Sequence, residues 1–148
     1  MRTFILLFVL LIPSPKPIPV IEEKIIVEEK VEEIRGMNEF LYAMGHQESG
    51  NRYFVVNRFG YMGKYQFGKS TLRTLKIKVT KEAFLNSPDL QEYAMQQNLL
   101  YNKKKLQKYI DRFDGCLIDG ILVTESGILA AAHLGGPGSV KNGSDQEK

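Results

Sequence analysis

The sequence predicts a small, mostly α-helical domain that follows an N-terminal export segment and a charged linker. Apolar residues recur at helical spacing in two stretches, and helix start and stop signals bracket several others. Strand signal is weak throughout, and a chain of 148 residues is one domain's worth. The first 35 residues differ in composition from the rest, which places the folded domain at about residues 36–140.

Residues 1–19 are typical of a signal peptide or an N-terminal anchor. Met1-Arg2 is a short basic start, and residues 4–12 (FILLFVLLI) form an unbroken apolar run. The run is shorter than the ~20 residues that span a bilayer, which favours a signal peptide. The Pro-rich residues 13–19 lack an A-x-A-like cleavage site, so an uncleaved anchor in contact with the membrane is the alternative. Both interpretations predict export to the periplasm or cell envelope, with a membrane tether in the second.

Charge is distributed unevenly along the chain. Residues 20–35 hold six Glu against three cations and predict a solvated linker or a short helix. Residues 36–148 hold 15 Lys and Arg against 11 Asp and Glu, and such a mildly basic domain suits an anionic envelope polymer. It would suit nucleic acid as well, but no nucleic-acid-binding signature is present, so no such partner is expected. Residues 141–148 (KNGSDQEK) are expected to form a disordered tail.

Five helices are predicted in the domain. The first runs from Asn38 to Glu48, with short helices following near 70–76 and 81–86. Ser87-Pro88-Asp89 is a strong helix start, because it combines a capping Ser, a Pro at the first position and an acid in the first turn. That helix extends to about Arg112. Thr124 can cap a last helix over 125–134, which Gly135-Gly136-Pro137 is expected to end.

Glu48 is the candidate catalytic acid. It continues an apolar helical stripe and lies at a helix C-terminus, where the helix dipole and desolvation both raise the pKa of a carboxyl. A carboxylic acid that stays protonated near neutral pH can donate a proton to a glycosidic oxygen. Glu125 stands in a second ESG triplet but at a predicted helix start, where the dipole favours the anion. The alternative for Glu48 is a partly exposed glutamate in an ordinary turn. Glu125 is interpreted as an ordinary acid in the first turn of a helix, and the alternative for it is a substrate-side or second-carboxylate role.

Residues 51–68 are predicted to form a loop or hairpin that contributes to binding. Six of the chain's 15 aromatic residues lie within positions 53–67. Sugar rings can stack on aromatic side chains such as Tyr61 and Tyr65, and Gln66 can form a hydrogen bond with the edge of a sugar. Glycines such as Gly63 let the backbone approach a ligand closely. The alternative is that these rings build the core.

Three stretches occur in a recognisable order: GHQESGNRY, GYMGKYQFG and TESGILAAAHLGG, the last followed directly by PG. Together they resemble the lysozyme-like lytic transglycosylase domain of the soluble-transglycosylase type, and they look like a peptidoglycan-active subgroup of bacterial and phage proteins. The resemblance covers about residues 37–140. It implies a lysozyme-like fold.

The resemblance also implies an activity and its residues. Glu48 matches the family's single catalytic acid/base, Ser49 the residue that orients it, and Gln66 a glutamine that contacts substrate. His133 stands where the family usually has Tyr, and Leu134 where it has Asn, so a polar side chain is missing there. We expect cleavage between N-acetylmuramic acid and N-acetylglucosamine with 1,6-anhydro ends, by a monomer that acts on peptidoglycan glycan strands without metal or other cofactor.

Two alternatives stay open. A muramidase on the same fold would use Glu125 or Asp119 as a second carboxylate and give reducing ends. A non-catalytic wall-binding protein would keep the cleft without turnover. The expected substrate-binding residues are Ser49, Tyr61, Gly63, Tyr65, Gln66 and His133.

Overall fold

A computed structural model describes residues 20–145, so the expected export segment 1–19 and residues 146–148 lie outside the described part. The predicted mostly helical class is confirmed. The elements, in chain order, are α1 (Val20–Ser49), α2 (Lys69–Thr74), α3 (Lys81–Leu85), α4 (Pro88–Phe113), β1 (Leu117–Ile118), β2 (Ile121–Leu122) and α5 (Glu125–Asp145). Within residues 20–145, no helix has the length and apolar character needed to cross a bilayer.

Helix α1 is longer than its predicted counterpart, which was expected to begin at Asn38. It begins at Val20, so residues 20–35 are helical, as one of the two interpretations of this segment had it. The predicted helix start at Asn38 is wrong. An Asn or a Gly inside a helix costs up to ~1 kcal/mol of stability, and a long helix tolerates that cost. The chain divides into two units at Gly36, within this helix. In the first unit, Arg35 pairs with Glu32 one turn earlier.

Helix α4 carries eight buried residues, more than any other helix among the described residues. Its start is the predicted one: Pro88 is the first residue, and the Ser87 hydroxyl accepts a hydrogen bond from Leu90 N at 3.3 Å. The buried side chains of α4 include apolar residues such as Met95 and Leu106, which pack with Tyr65, Phe67 and Phe84. The same buried face carries three amides: Gln91, Asn98 and Asn102.

The loop from residue 51 to 68 is held by two single antiparallel bridges. Met62 pairs with Val56 on one side and with Phe67 on the other. The loop therefore doubles back on itself and brings residues 61–67 against the core. Its aromatic residues divide between two environments, because Tyr65 and Phe67 are buried whereas Phe54, Phe59 and Tyr61 are exposed.

Helix α5 follows a two-stranded hairpin that turns at Asp119-Gly120. The expected cap is present, since the Thr124 hydroxyl accepts a hydrogen bond from Gly127 N at 3.1 Å. The predicted stop at Gly135-Gly136-Pro137 is a kink instead: Gly136 adopts φ 78°, and the helix resumes and continues to Asp145. Residues 141–145, part of the expected tail, are consequently helical. A Gly can supply the left-handed step and a Pro can begin a new helical segment, so the same residues break a helix and restart it.

Candidate active site

A cleft of about 550 Å³ opens on the domain formed by residues 37–145. Five parts of the chain form its wall: the end of α1, the 57–68 segment, α2, the middle of α4 and the region around the kink in α5. The polar side chains that line it are those of Glu48, Asn57, Tyr61, Gln66, Ser70, Thr71, Thr74, Asn98, Tyr101, Asn102 and His133. Most of these side chains are neutral hydrogen-bonding groups, and several are amides and hydroxyls of the kind that hold sugars.

Glu48 is the one carboxylate among the described residues that line this cleft. It lies on the last turn of α1 and is half-buried, on the same stripe as the buried Leu41 and Met44. Among the described residues, none donates a hydrogen bond to its carboxyl group or forms an ion pair with it. Burial raises the pKa of Glu48 above its ordinary value of 4.5. The structure therefore places a carboxyl with an increased tendency to hold its proton at the edge of the cleft.

Ser49 does not line the cleft; it fixes the end of α1 instead. Its buried hydroxyl donates a hydrogen bond to Lys64 O at 2.8 Å and accepts one from Arg52 N at 2.9 Å. These bonds join the last residue of α1 to the segment that carries Gln66. The expectation that Ser49 contacts substrate directly is therefore corrected. Its hydroxyl is fully used by backbone groups, so Ser49 supports the helix end beside Glu48.

The 61–66 segment contributes two of its four expected residues to the cleft. Tyr61 and Gln66 line it, and Gln66 is oriented by a hydrogen bond from its Nε2 to Gly63 O at 2.8 Å. Gly63 is buried beside the Gln91 side chain with φ 75°, so it acts in the turn rather than at the cleft surface. Tyr65 is wholly buried, and its expected role as a sugar-binding ring is corrected to one in the core.

Tyr65 belongs to a polar cluster beneath the loop. Its hydroxyl donates to Glu92 at 2.6 Å, as does that of Tyr53, and Lys64 Nζ lies 2.8 Å from the same carboxylate. Burial alone would raise the pKa of Glu92, but the hydrogen bonds from Lys64 and the two tyrosines outweigh it and lower that pKa. The ionised Glu92 thus holds Lys64, whose carbonyl group accepts the hydrogen bond from Ser49.

His133 lines the cleft from α5 and is fixed by two partners. Its Nε2 donates to Tyr65 O at 3.0 Å, and its Nδ1 accepts from Asn98 Nδ2 at 3.2 Å. A carbonyl oxygen only accepts and an amide nitrogen only donates, so these contacts define a neutral imidazole with the proton on Nε2. Burial lowers the pKa of His133 although the hydrogen bond to Tyr65 O opposes the shift. Both nitrogens are occupied, and the ring itself faces the cleft.

Among the polar cleft residues that the sequence did not indicate, three lie on α4: Asn98, Tyr101 and Asn102. Asn102 donates to Asn98 Oδ1, which continues the hydrogen-bonded series from His133 along α4. The available signal was the polar residue at position 102, which interrupts an otherwise apolar helical stripe. Burying an amide costs free energy unless hydrogen bonds satisfy it, so such an interruption indicates other polar groups next to this face of the helix.

The two other carboxylates considered, Glu125 and Asp119, do not line the cleft. Glu125 forms an ion pair with Lys103 at 2.6 Å, at the start of α5. Asp119 lies in the exposed hairpin turn with φ 49°. Among the residues that the structure describes, no three His, Cys, Asp or Glu side chains come together as metal ligands.

No protein-family model matches this chain, and no curated protein and no solved structure matches it either.

Proposed function

We propose that the domain cleaves the β-1,4 bond between N-acetylmuramic acid and N-acetylglucosamine in peptidoglycan, with Glu48 as its general acid and base. One observation carries the proposal: a half-buried carboxyl with a raised pKa stands alone at the edge of a 550 Å³ cleft lined by amides, hydroxyls and two tyrosine rings. Carbohydrate sites have this composition, and glycosidases need such an acid. The motif resemblance at Glu48 and Gln66 supports the same assignment.

The first step is protonation of the glycosidic oxygen by Glu48, and the raised pKa favours the protonated form that this step requires. No second carboxylate lines the described cleft, so the substrate's own acetamido group is the group expected to stabilise the sugar cation. The Glu48 carboxylate then takes the proton of the muramic acid 6-hydroxyl, which closes the 1,6-anhydro ring. Attack by water at that stage would give a reducing end instead.

A non-catalytic wall-binding function is the second candidate, and Leu134 favours it. This residue stands where the resembling family has Asn, lines the cleft and is exposed. Asn98 and Asn102 on α4 present amides to the same cleft. These amides can replace the Asn side chain that the resembling family has at the position of Leu134. The muramidase alternative needs a second carboxylate in the cleft, and neither residue named for that role, Glu125 or Asp119, lines it.

Mass spectrometry of the fragments that the protein releases from purified, insoluble peptidoglycan tests the proposal. We expect soluble muropeptides with 1,6-anhydro ends. Reducing ends would show a hydrolase on the same cleft. Folded protein that sediments with peptidoglycan and releases no fragment would refute the catalytic proposal in favour of wall binding.

A further inference from the structure

A second groove lies on the opposite side of α2 from the cleft. Helix α2 turns Ser70, Thr71 and Thr74 towards the cleft and turns Lys69 and Arg73 the other way. The second groove has a volume of about 690 Å³ and continues from α2 to the start of α3. One short helix is therefore the common wall of both depressions.

The groove has an apolar floor and a cationic rim. Met62 and Leu72 are buried at its base. The rim carries four exposed cations and a single carboxylate, and these residues are Lys69, Arg73, Lys78, Lys81 and Glu82. Within the part of the chain that the structure describes, none of the four cations forms an ion pair, whereas Lys64 and Lys103 do. The rim thus presents an excess of positive charge around an apolar base.

We propose that this groove binds the stem peptide of the glycan strand whose sugars occupy the cleft, with the lysines and Arg73 holding the peptide's carboxylates. The inference rests on the proposed function, because the stem peptide is attached to the muramic acid residue of that substrate. Stem peptides are short, carry small methyl side chains and end in carboxylates, so they match an apolar floor with a cationic rim.

The width of α2, the wall between the two grooves, suits this ligand. An α-helix with its side chains is about 10–12 Å across, so a chain that crosses α2 must span at least that length. An extended peptide of about four residues reaches about 14 Å at ~3.5 Å per residue. A stem peptide that leaves a sugar beside Thr71 and Thr74 can therefore place its terminal carboxylate among the rim cations.

Binding to three soluble tetrasaccharide fragments of peptidoglycan tests the inference, with the full chain carrying Glu48→Gln so that no turnover occurs. The fragments carry intact stem peptides, stem peptides with amidated carboxylates, or no peptides. Lys78→Gln with Lys81→Gln removes two rim charges. Lys104→Gln with Lys108→Gln is the matched control, because these exposed lysines lie on α4 and line neither groove.

We expect the rim variant to bind the intact-peptide fragment about fivefold more weakly, since each exposed ion pair contributes roughly two- to threefold. The loss should shrink at high salt, and binding of the other two fragments should be unchanged. The control variant should bind all three fragments as the parent does. The inference would be overturned if the rim and control variants lost equal affinity for the intact-peptide fragment, or if the rim variant lost none. In both cases the proposed function still stands, provided that the cleft binds the peptide-free fragment. If that fragment does not bind either, the proposed function itself fails and this inference with it.

Discussion

The substitution Ser49→Ala tests how the catalytic end of α1 is held. The Ser49 hydroxyl is buried and bonds two backbone groups, Lys64 O at 2.8 Å and Arg52 N at 2.9 Å. Alanine leaves both groups without this partner, and an unsatisfied buried backbone group costs about 1–3 kcal/mol. Because Arg52 is exposed and water can reach its surroundings, the cost of each unsatisfied group lies at the low end of this range. We therefore expect Ser49→Ala to lower the free energy of unfolding by about 2 kcal/mol.

The chain contains a matched control for this substitution. Ser126 is the serine of the second ESG triplet, and within residues 20–145 its exposed hydroxyl forms a hydrogen bond only with the hydroxyl of Thr124, at 3.0 Å. Ser126→Ala should therefore change the free energy of unfolding by less than about 0.5 kcal/mol. Thermal unfolding followed by circular dichroism should show a Tm about 8 °C lower for Ser49→Ala, at roughly 4 °C per kcal/mol for a domain of this size. A Tm for Ser49→Ala within about 2 °C of that for Ser126→Ala would refute the supporting position of this hydroxyl.

Three further predictions concern the turn at Gly63 and the cleft residues Glu48 and His133. Gly63→Ala should destabilise the domain by more than about 2 kcal/mol, because Gly63 has φ 75° and a Cβ there would collide with the Gln91 side chain. Gly60→Ala has a similar φ of 86° but open space, and chemical denaturation should show only about 1 kcal/mol of strain. Burial raises the pKa of Glu48, so its ionisation costs stability once the pH exceeds the ordinary value of 4.5. Glu48→Gln should therefore raise the Tm at neutral pH and leave it unchanged below about pH 4; an equal change at both pH values would contradict this. Burial lowers the pKa of His133, so the stability present above its ordinary value of 6.5 is lost as the pH falls and the ring charges. The Tm of the parent should drop more steeply than that of His133→Gln between about pH 7.5 and pH 5, and parallel pH profiles would show that His133 does not titrate this way.

Local chemistry explains which helices the sequence predicts. Ser87 and Thr124 each cap the helix that follows, and a cap depends on residues within one turn, which the sequence displays directly. The start of α1 was misplaced for the same reason: Asn38 has the chemistry of a cap, but it lies inside a helix that begins at Val20. The kink at Gly136 shows that a Gly-Pro pair marks a break without deciding whether the helix resumes.

The candidate site depends on contacts that local patterns do not encode. Glu48 could be selected because its stripe and helix end are both local. Tyr65 and Tyr61 are four residues apart and equally aromatic, yet one is buried in the core and the other lines the cleft. The partners of His133 are Asn98 and the backbone of Tyr65, which are 35 and 68 residues away along the chain. Only the packing of α4 and α5 against the loop brings these groups together.

The most direct test of the catalytic proposal compares Glu48→Gln with Glu125→Gln on purified peptidoglycan. Both substitutions remove one carboxylate from an ESG triplet, but only Glu48 lines the cleft, whereas Glu125 pairs with Lys103. With folding of both variants verified by circular dichroism, release of soluble muropeptides should be abolished by Glu48→Gln and retained by Glu125→Gln. Release by Glu48→Gln at the rate of the parent would contradict the assignment of Glu48 as the catalytic acid.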